Sequence, residues 1–162
     1  MAGICYLSFY TNSINSIAGF FNICAGKFIF VEKSGMKIRC EQNSIRLRLR
    51  RSELVQLRVE KWLGVVINLP DGKEFGWDLL LDDDLTDMTA ALQSGRISIK
   101  VPVGMAFHWM DTDEVGMERF LPIGGGTALH ILVEKDFPCK DRPEEDKSDF
   151  FAELSEEAPV KC

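Results

Sequence analysis

Apolar and polar residues alternate strictly in two short stretches of the chain. Residues 44–49 form the sequence SIRLRL and residues 96–101 form RISIKV, with an apolar side chain at every second position. A period of two is typical of a β-strand that buries one face and exposes the other. The two stretches therefore predict two half-buried strands.

A short amphipathic segment follows each of these strands. We predict one helix over ELVQLRV (53–59), with Ser52 as its N-cap, and a second over VGMAFHWM (103–110). Pro102 comes directly before the second segment, at a place where proline can open a helix without interrupting it.

A predicted hairpin follows each helix. Residues 63–69 and 74–82 flank the turn sequence PDGK, and residues 115–121 and 127–135 flank a turn rich in glycine. A further strand, MKIRCE (36–41), precedes the first of these units.

The two halves of the chain resemble each other. When residues 44–84 are set against residues 96–136 without a gap, Pro70 falls on Pro122 and the apolar positions keep their phase. We predict two copies of a β-α-β-β unit, joined by residues 82–95, that bury their apolar sheet faces on each other. The predicted fold class is α+β: a mainly antiparallel small barrel or two-layer sheet with short helices.

This pattern predicts a single duplicated domain over residues 36–140. Residues 1–35 are apolar but irregular, and we interpret them as an N-terminal extension. One interpretation places the natural start at Met36. The other adds a strand or helix that covers an apolar surface through FIFV (28–31).

The charge of the chain is segmented. The net charge is −6 at pH 7. The acids concentrate in residues 141–162, which we predict to be a disordered tail, whereas the bases concentrate in residues 36–61. The negative net charge argues against a dedicated nucleic-acid binder.

Composition also narrows the chemistry. Five cysteines and two histidines show no metal-ligand spacing, and no cofactor motif is present, so we predict neither a metal nor a cofactor. The odd number of cysteines favours reduced thiols and a cytoplasmic location. No run approaches the ~20 apolar residues that span a bilayer, so we predict no membrane association.

Arginines line one face of the first strand. Arg46, Arg48 and Arg50 alternate with apolar residues, and Arg39 and Arg51 extend the group. Guanidinium groups bind phosphate or carboxylate with two hydrogen bonds, so these five residues are the predicted anion-binding site. The alternatives are a solvated strand face, or a face on which the acidic tail docks.

Two acidic clusters have a simpler interpretation. Asp82, Asp83, Asp84 and Asp87 lack the spacing and the turn glycine of a calcium loop, so we predict a solvated linker. We interpret Glu134, Lys135 and Asp136 at the end of the second hairpin in the same way.

From Met36 onwards the chain resembles a small family of uncharacterised bacterial proteins. The resemblance covers roughly residues 36–150, and its most specific parts are NSIRLRLRRSE (43–53) and LVEKDFPC (132–139). The family carries no established activity, so the resemblance implies a common fold unit and no particular chemistry.

The stretch GRISIKVPVGMAFHWMDTDEVGME (95–118) is similar in its order of elements to the swapped-hairpin domains of transition-state regulators and antitoxins. That similarity implies a dimer-like DNA-binding unit. This chain has Val103 where those domains carry a basic residue, and Trp109-Met110 where they carry leucine and glycine. Nucleic acid is therefore a possible partner that we do not favour.

The sequence thus predicts a non-enzymatic module that captures an unknown anionic ligand or protein on the arginine stripe. One alternative is a small enzyme for a phosphorylated or carboxylated substrate, with Glu134 acting on a proton. The other alternative is a nucleic-acid-binding regulator.

Overall fold

The structure, a computed structural model, describes residues 35–138 and 146–154. The predicted N-terminal extension lies outside the described residues except for Gly35. The described residues form two α-helices and eight strands, in the order β1 (Lys37–Glu41), β2 (Ser44–Leu49), α1 (Arg51–Glu60), β3 (Trp62–Asn68), β4 (Glu74–Asp82), β5 (Thr89–Gln93), β6 (Arg96–Pro102), α2 (Val103–Asp111), β7 (Gly116–Gly124) and β8 (Thr127–Lys135).

The strands form two four-stranded sheets. Sheet A has the order β1-β2-β8-β7, and sheet B has the order β3-β4-β6-β5. The outer pairs of each sheet are antiparallel, whereas the central pairs, β2 with β8 and β4 with β6, are parallel. The predicted α+β class with mainly antiparallel pairing is confirmed, in the form of two open sheets and not of a closed barrel.

The hairpins of the two halves are interleaved. Each sheet combines the first hairpin of one half with the second hairpin of the other half. Within each half, the helix carries the chain from one sheet to the other. The two sheets therefore cannot be separated without pulling each half apart.

The second half has one strand more than the sequence predicted. Residues 82–95, predicted as a linker, contain β5, which pairs with β6 through Ala90 opposite Ile99. The element order of each half is β-β-α-β-β. The sequence TAALQ of β5 hides this strand because alanine has low strand propensity and the apolar alternation is short.

The strand registers also correct the alignment of the two halves, which the sequence comparison made without a gap. Val65, Trp77 and Ile97 stand side by side in sheet B, and Arg119, Ile131 and Ile45 stand side by side in sheet A. The strands before the helices therefore correspond at a shift of 52 residues, and the hairpins after them at 54. The connection from α2 to β7 is three residues longer than that from α1 to β3, and α2 is one residue shorter than α1, so the second half gains two residues. A shift of two preserves the inward and outward alternation, so the apolar phase could not detect it.

The core lies between the two sheets. Alternate residues of β2, β4, β6 and β8 point into it and are fully buried; they include Leu47, Leu79, Ile99 and Val133. Leu57 of α1 and Trp109 of α2 cover the same core. No helix in the described part of the chain is long and apolar enough to cross a membrane.

Helix α1 begins two residues earlier than predicted. Its N-cap is Arg50, not Ser52. The backbone N–H of Arg50 donates to Glu53 Oε2 at 2.9 Å. The backbone N–H of Ser52 donates instead to Asp149 Oδ1 at 2.8 Å, so an acid from the C-terminal stretch satisfies a donor in the first turn.

Residues 146–154, which the sequence assigned to the tail, pack on the domain. Phe150, Phe151 and Leu154 are buried. The backbone N–H of Phe151 donates to the carbonyl oxygen of Asp136 at 3.0 Å. Apolar burial therefore holds this acidic stretch, which we call the C-terminal segment.

We predict that Phe151→Ala lowers the free energy of unfolding by about 2–4 kcal/mol, because it removes a buried phenylalanine at the edge of the core. The matched control is Phe120→Ala. Phe120 is 61% exposed whereas Phe151 is 8% exposed, so the control loses little more than its ring contact with His130, about 1 kcal/mol or less. Urea unfolding of the full chain measures both. Equal losses in the two variants would show that the C-terminal segment does not belong to the cooperative core.

Candidate functional site

The outer face of sheet A carries four basic side chains on two neighbouring strands. Lys37 and Arg39 alternate on β1, and Arg46 and Arg48 alternate on β2. The register places Lys37 directly opposite Arg48 and Arg39 directly opposite Arg46. We call these four residues the basic face. Like charges directly opposite each other on a sheet repel, so this arrangement needs negative charge nearby.

Glu134 supplies one carboxylate to two of these arginines. It lies on β8, directly opposite Arg48. Arg48 Nε donates to Glu134 Oε1 at 2.6 Å, and Arg46 Nε lies 3.5 Å from the same oxygen. Glu134 is buried, whereas both arginines are partly exposed. One buried carboxylate therefore lies beside two guanidinium groups, accepts a hydrogen bond from Arg48 and neutralises only one positive charge.

The other two basic side chains have separate partners. Lys37 Nζ lies 2.8 Å from Oδ2 of the buried Asp136. Arg39 forms a 2.6 Å ion pair with Glu41, and both of these side chains are more than half exposed. Because exposed pairs contribute only ~0–1 kcal/mol, an incoming anion can displace Glu41 at little cost.

A shallow depression lies on this part of the sheet. Its volume is about 180 Å³, and it is lined by Lys37, Ile38, Arg39, Arg46 and Arg48. Pockets that enclose a small molecule measure roughly 300–1,000 Å³. The depression therefore suits one anionic group of a larger ligand.

The structure separates the five arginines that the sequence grouped. Arg39, Arg46 and Arg48 lie together on the basic face. Arg50 and Arg51 follow β2 and contact the C-terminal segment. Period-two alternation predicted a common face for Arg50, but the chain leaves the strand after Leu49.

Aromatic rings hold the two separated arginines. The guanidinium carbon of Arg50 lies 4.9 Å from the ring centre of Phe150, and that of Arg51 lies 4.5 Å from the ring centre of Phe151. Arg51 Nε also donates to the carbonyl oxygen of Phe150 at 2.9 Å. The C-terminal segment thus docks on Arg50 and Arg51, and the ring of Phe150 also lies 5.1 Å from Nζ of Lys37 at the end of the basic face.

Arg51 also pairs with Glu153. The backbone N–H of Glu153 itself, followed by the Arg51 guanidinium, lowers the pKa of the Glu153 carboxyl group, although burial acts against this. The ion pair therefore remains formed in neutral solution.

Lys135 is a buried lysine that the sequence interpretation missed. Only 3% of the residue is exposed, although the end of the hairpin was predicted to be solvated. Lys135 Nζ donates to the carbonyl oxygen of Thr112 at 2.5 Å and lies 5.9 Å and 5.6 Å from the ring centres of Trp109 and Phe151. Glu134 and Asp136 are buried as well, so the solvated interpretation of this triplet was wrong.

Burial lowers the pKa of the Lys135 ammonium group below its ordinary value of 10.5, while Asp113, Glu114 and Glu153 act in the opposite direction. The packing of the C-terminal segment and the long α2–β7 connection create this environment. Neither feature has a signal in the local sequence around Lys135.

The linker acids form ordinary ion pairs. Asp82 accepts a hydrogen bond from Lys100 Nζ at 3.1 Å, and Asp87 accepts one from Arg119 Nε at 2.5 Å. The backbone N–H of Asp84, followed by Lys100, lowers the pKa of Asp82, and Arg119 lowers that of Asp87. Residues 35–138 and 146–154 contain no group of three or more His, Cys, Asp or Glu arranged to hold a metal ion.

We predict that the wild type gains stability relative to Lys135→Met as the pH rises between the lowered pKa of Lys135 and 10.5. In that window the unfolded chain binds a proton at this lysine that the folded chain has released, so raising the pH favours the folded state. Urea unfolding at pH 7.5 to 9.5 measures the difference. The control is Lys100→Met at an exposed lysine. A difference that stays constant, or falls with pH, would contradict the proposed burial of the amine.

Comparison with known proteins places the chain in a family. The sequence pattern of a family of unknown function matches residues 36–154, which is well over half of the chain. The match begins one residue before β1 and ends with the C-terminal segment, so it spans both sheets and the basic face. No curated protein matches the chain. From the extent of this match, the chain belongs to the Family of unknown function (DUF7009).

Proposed function

We propose that this domain is a non-enzymatic binding module that captures an anionic group of a ligand or protein partner on its basic face. The observation that carries the proposal is the shared acceptor: Arg46 and Arg48 approach the same carboxylate oxygen of Glu134. One carboxylate cannot neutralise both arginines, so an anion bound beside Arg46 reduces the remaining repulsion between their positive charges.

The chemistry of the face favours phosphate or carboxylate. A guanidinium group presents parallel N–H donors that match two oxygens of such anions, and the hydrogen bond to Glu134 already orients the guanidinium group of Arg48. Arg39, directly opposite Arg46, supplies further donors from the neighbouring strand. The proposed ligand group therefore lies between Arg39 and Arg46.

A small enzyme receives less support. Its proposed proton-transfer residue, Glu134, already accepts from Arg48 and lies beside Arg46. The depression is also too small to enclose a substrate. A nucleic-acid-binding regulator is the second candidate. The interleaved hairpins of the two sheets support it, because the sequence resemblance to swapped-hairpin domains implies such an arrangement.

Three further proposals concern the origin, extent and location of the domain. The equal element order of the two halves supports an internal duplication. The packing of Phe150, Phe151 and Leu154 supports a domain that extends to residue 154. An exposed free thiol at Cys40 supports a reducing, cytoplasmic location.

We predict that Arg46→Ala weakens binding of inorganic pyrophosphate about tenfold, since it removes a charge-assisted donor worth about 1.4 kcal/mol. The measurement is an NMR titration of the ¹⁵N-labelled full chain, in which amides of β1 and β2 shift. Arg96→Ala is the matched control. Arg96 lies on the outer face of sheet B and has its own carboxylate, Asp78, at 2.5 Å, so its loss leaves affinity unchanged.

The salt dependence gives an independent check. Binding at an exposed basic face weakens as ionic strength rises, because the Debye length falls from about 10 Å at 0.1 M to about 3 Å at 1 M. If pyrophosphate shifts amides of both sheets equally, or if Arg46→Ala and Arg96→Ala behave alike, the basic face is not the binding site.

We predict that Glu134→Gln strengthens pyrophosphate binding roughly fivefold, a gain of about 1 kcal/mol, because both guanidinium groups lose their competing carboxylate. The same substitution lowers the free energy of unfolding by about 1–3 kcal/mol, since it replaces a charged acceptor by a neutral one. NMR titration and urea unfolding measure the two effects. Weaker pyrophosphate binding in a folded Glu134→Gln variant would mean that Glu134 takes part in the ligand site.

A further inference from the structure

An exposed aromatic ring lies on the same face of sheet A as the basic residues. Phe120 on β7 is directly opposite His130 on β8. His130 in turn is directly opposite Ser44, which lies two residues before Arg46 on β2. Residues two apart share a face, so Phe120, His130 and the basic face occupy one continuous surface.

The two rings form a fixed stack. Their centres lie 4.3 Å apart and their planes differ by 5°. His130 Nε2 lies 2.7 Å from Glu118 Oε2, a contact that fixes the orientation of the imidazole. Because His130 covers one face of the Phe120 ring, the 61% of Phe120 that is exposed consists of the other ring face and the ring edge. This ring is a preformed platform on which a planar group can stack.

We propose that the outer face of sheet A binds nucleotides of a single strand, with a phosphate on Arg39 and Arg46 and a base stacked on Phe120. This inference rests on the proposed anion-binding function and names its ligand class. Single-strand binding combines a basic track for phosphates with aromatic side chains for bases. Both components lie on this face.

The spacing of the two components fits this ligand. Phe120 and Arg46 are separated by two strand spacings across the sheet and by two residues along it, which places their Cα atoms about 12 Å apart. One nucleotide together with an extended arginine side chain, or two neighbouring nucleotides, can cover that distance.

The carboxylates of this face already have partners, and a phosphate has to compete with Glu134 and Glu41 for the arginines. Glu134 is held by Arg48, Glu41 by Arg39, and Glu118 contacts His130. The cations lie on β1 and β2, whereas Glu118 and Glu134 lie on β7 and β8, so the phosphate and the base meet different parts of the sheet.

The outer face of sheet B provides a control surface. Its exposed aromatic residue is Trp62, which covers Gly64 on the same strand. The arginine of that face, Arg96, is paired with the buried Asp78. The outer face of sheet B thus carries an exposed aromatic ring and a partly exposed arginine. Among its described residues it lacks the two pairs of directly opposite basic residues that sheet A has.

The test uses the full chain and three probes: a fluorescein-labelled ten-residue oligothymidine, thymidine 5′-monophosphate and inorganic pyrophosphate. We expect Phe120→Ala to weaken oligothymidine binding about tenfold by fluorescence anisotropy. It leaves pyrophosphate affinity within about twofold of wild type, and Phe120→Trp restores oligothymidine binding. Trp62→Ala leaves binding of all three probes unchanged. Circular dichroism and urea unfolding confirm that each variant is folded.

The outcomes separate this inference from the anion-binding proposal. If Arg46→Ala weakens pyrophosphate binding while Phe120→Ala changes oligothymidine binding no more than Trp62→Ala does, the basic face stands and the stacking platform is wrong. If wild type binds pyrophosphate but neither oligothymidine nor thymidine monophosphate, the nucleotide assignment is also wrong. If pyrophosphate does not bind the basic face, the underlying proposal fails.

Two further comparisons define the source of the ligand. Binding of thymidine monophosphate as tight as that of the oligomer supports a free nucleotide, and binding of the oligomer alone supports a polynucleotide. A duplex of the same length keeps its bases stacked inside, so we expect it to bind more weakly than the single strand. Equal or tighter duplex binding overturns the role of Phe120.

Discussion

The parallel pairing of β2 with β8 is the constraint on which the site depends. These strands come from different halves of the chain, and their register sets Arg48 directly opposite Glu134. Without that pairing, Arg46 and Arg48 face Lys37 and Arg39 with no carboxylate between them, and the like charges repel. The same pairing carries Leu47 and Val133 into the core, so the fold and the site rest on one strand contact.

The interleaving of the hairpins explains why this contact is secure. Each half contributes to both sheets, and the C-terminal segment covers the place where β2 leads into α1. Asp149 caps the first turn of that helix. The guanidinium groups of Arg50 and Arg51 lie over the rings of Phe150 and Phe151. The segment therefore stabilises the strand end beside the basic face and contacts that face at Lys37 through Phe150.

The sequence predicted the features that depend on period and local turn chemistry. The strands at 44–49 and 96–101, both helices and both hairpins follow from alternation and from turn residues. It missed β5, because TAALQ carries little strand signal. It also missed the two-residue insertion before β7, because a shift of two leaves every side chain on its predicted face.

The site was only partly predictable for the same reason. Alternation placed Arg46 and Arg48 on one face, but whether Arg50 continued that face depended on where the strand ended. The carboxylate of Glu134, the buried amine of Lys135 and the stack of Phe120 on His130 depend on long-range pairing of β8. No local pattern encodes such a pairing.

A crystal structure of the full chain with pyrophosphate tests the central claim most directly. We expect pyrophosphate on the outer face of sheet A, with oxygens within hydrogen-bond distance of the Arg39 and Arg46 guanidinium groups and Glu134 still beside Arg48. An ordered pyrophosphate bound elsewhere, with the basic face exposed to solvent and unoccupied at the same concentration, would contradict it.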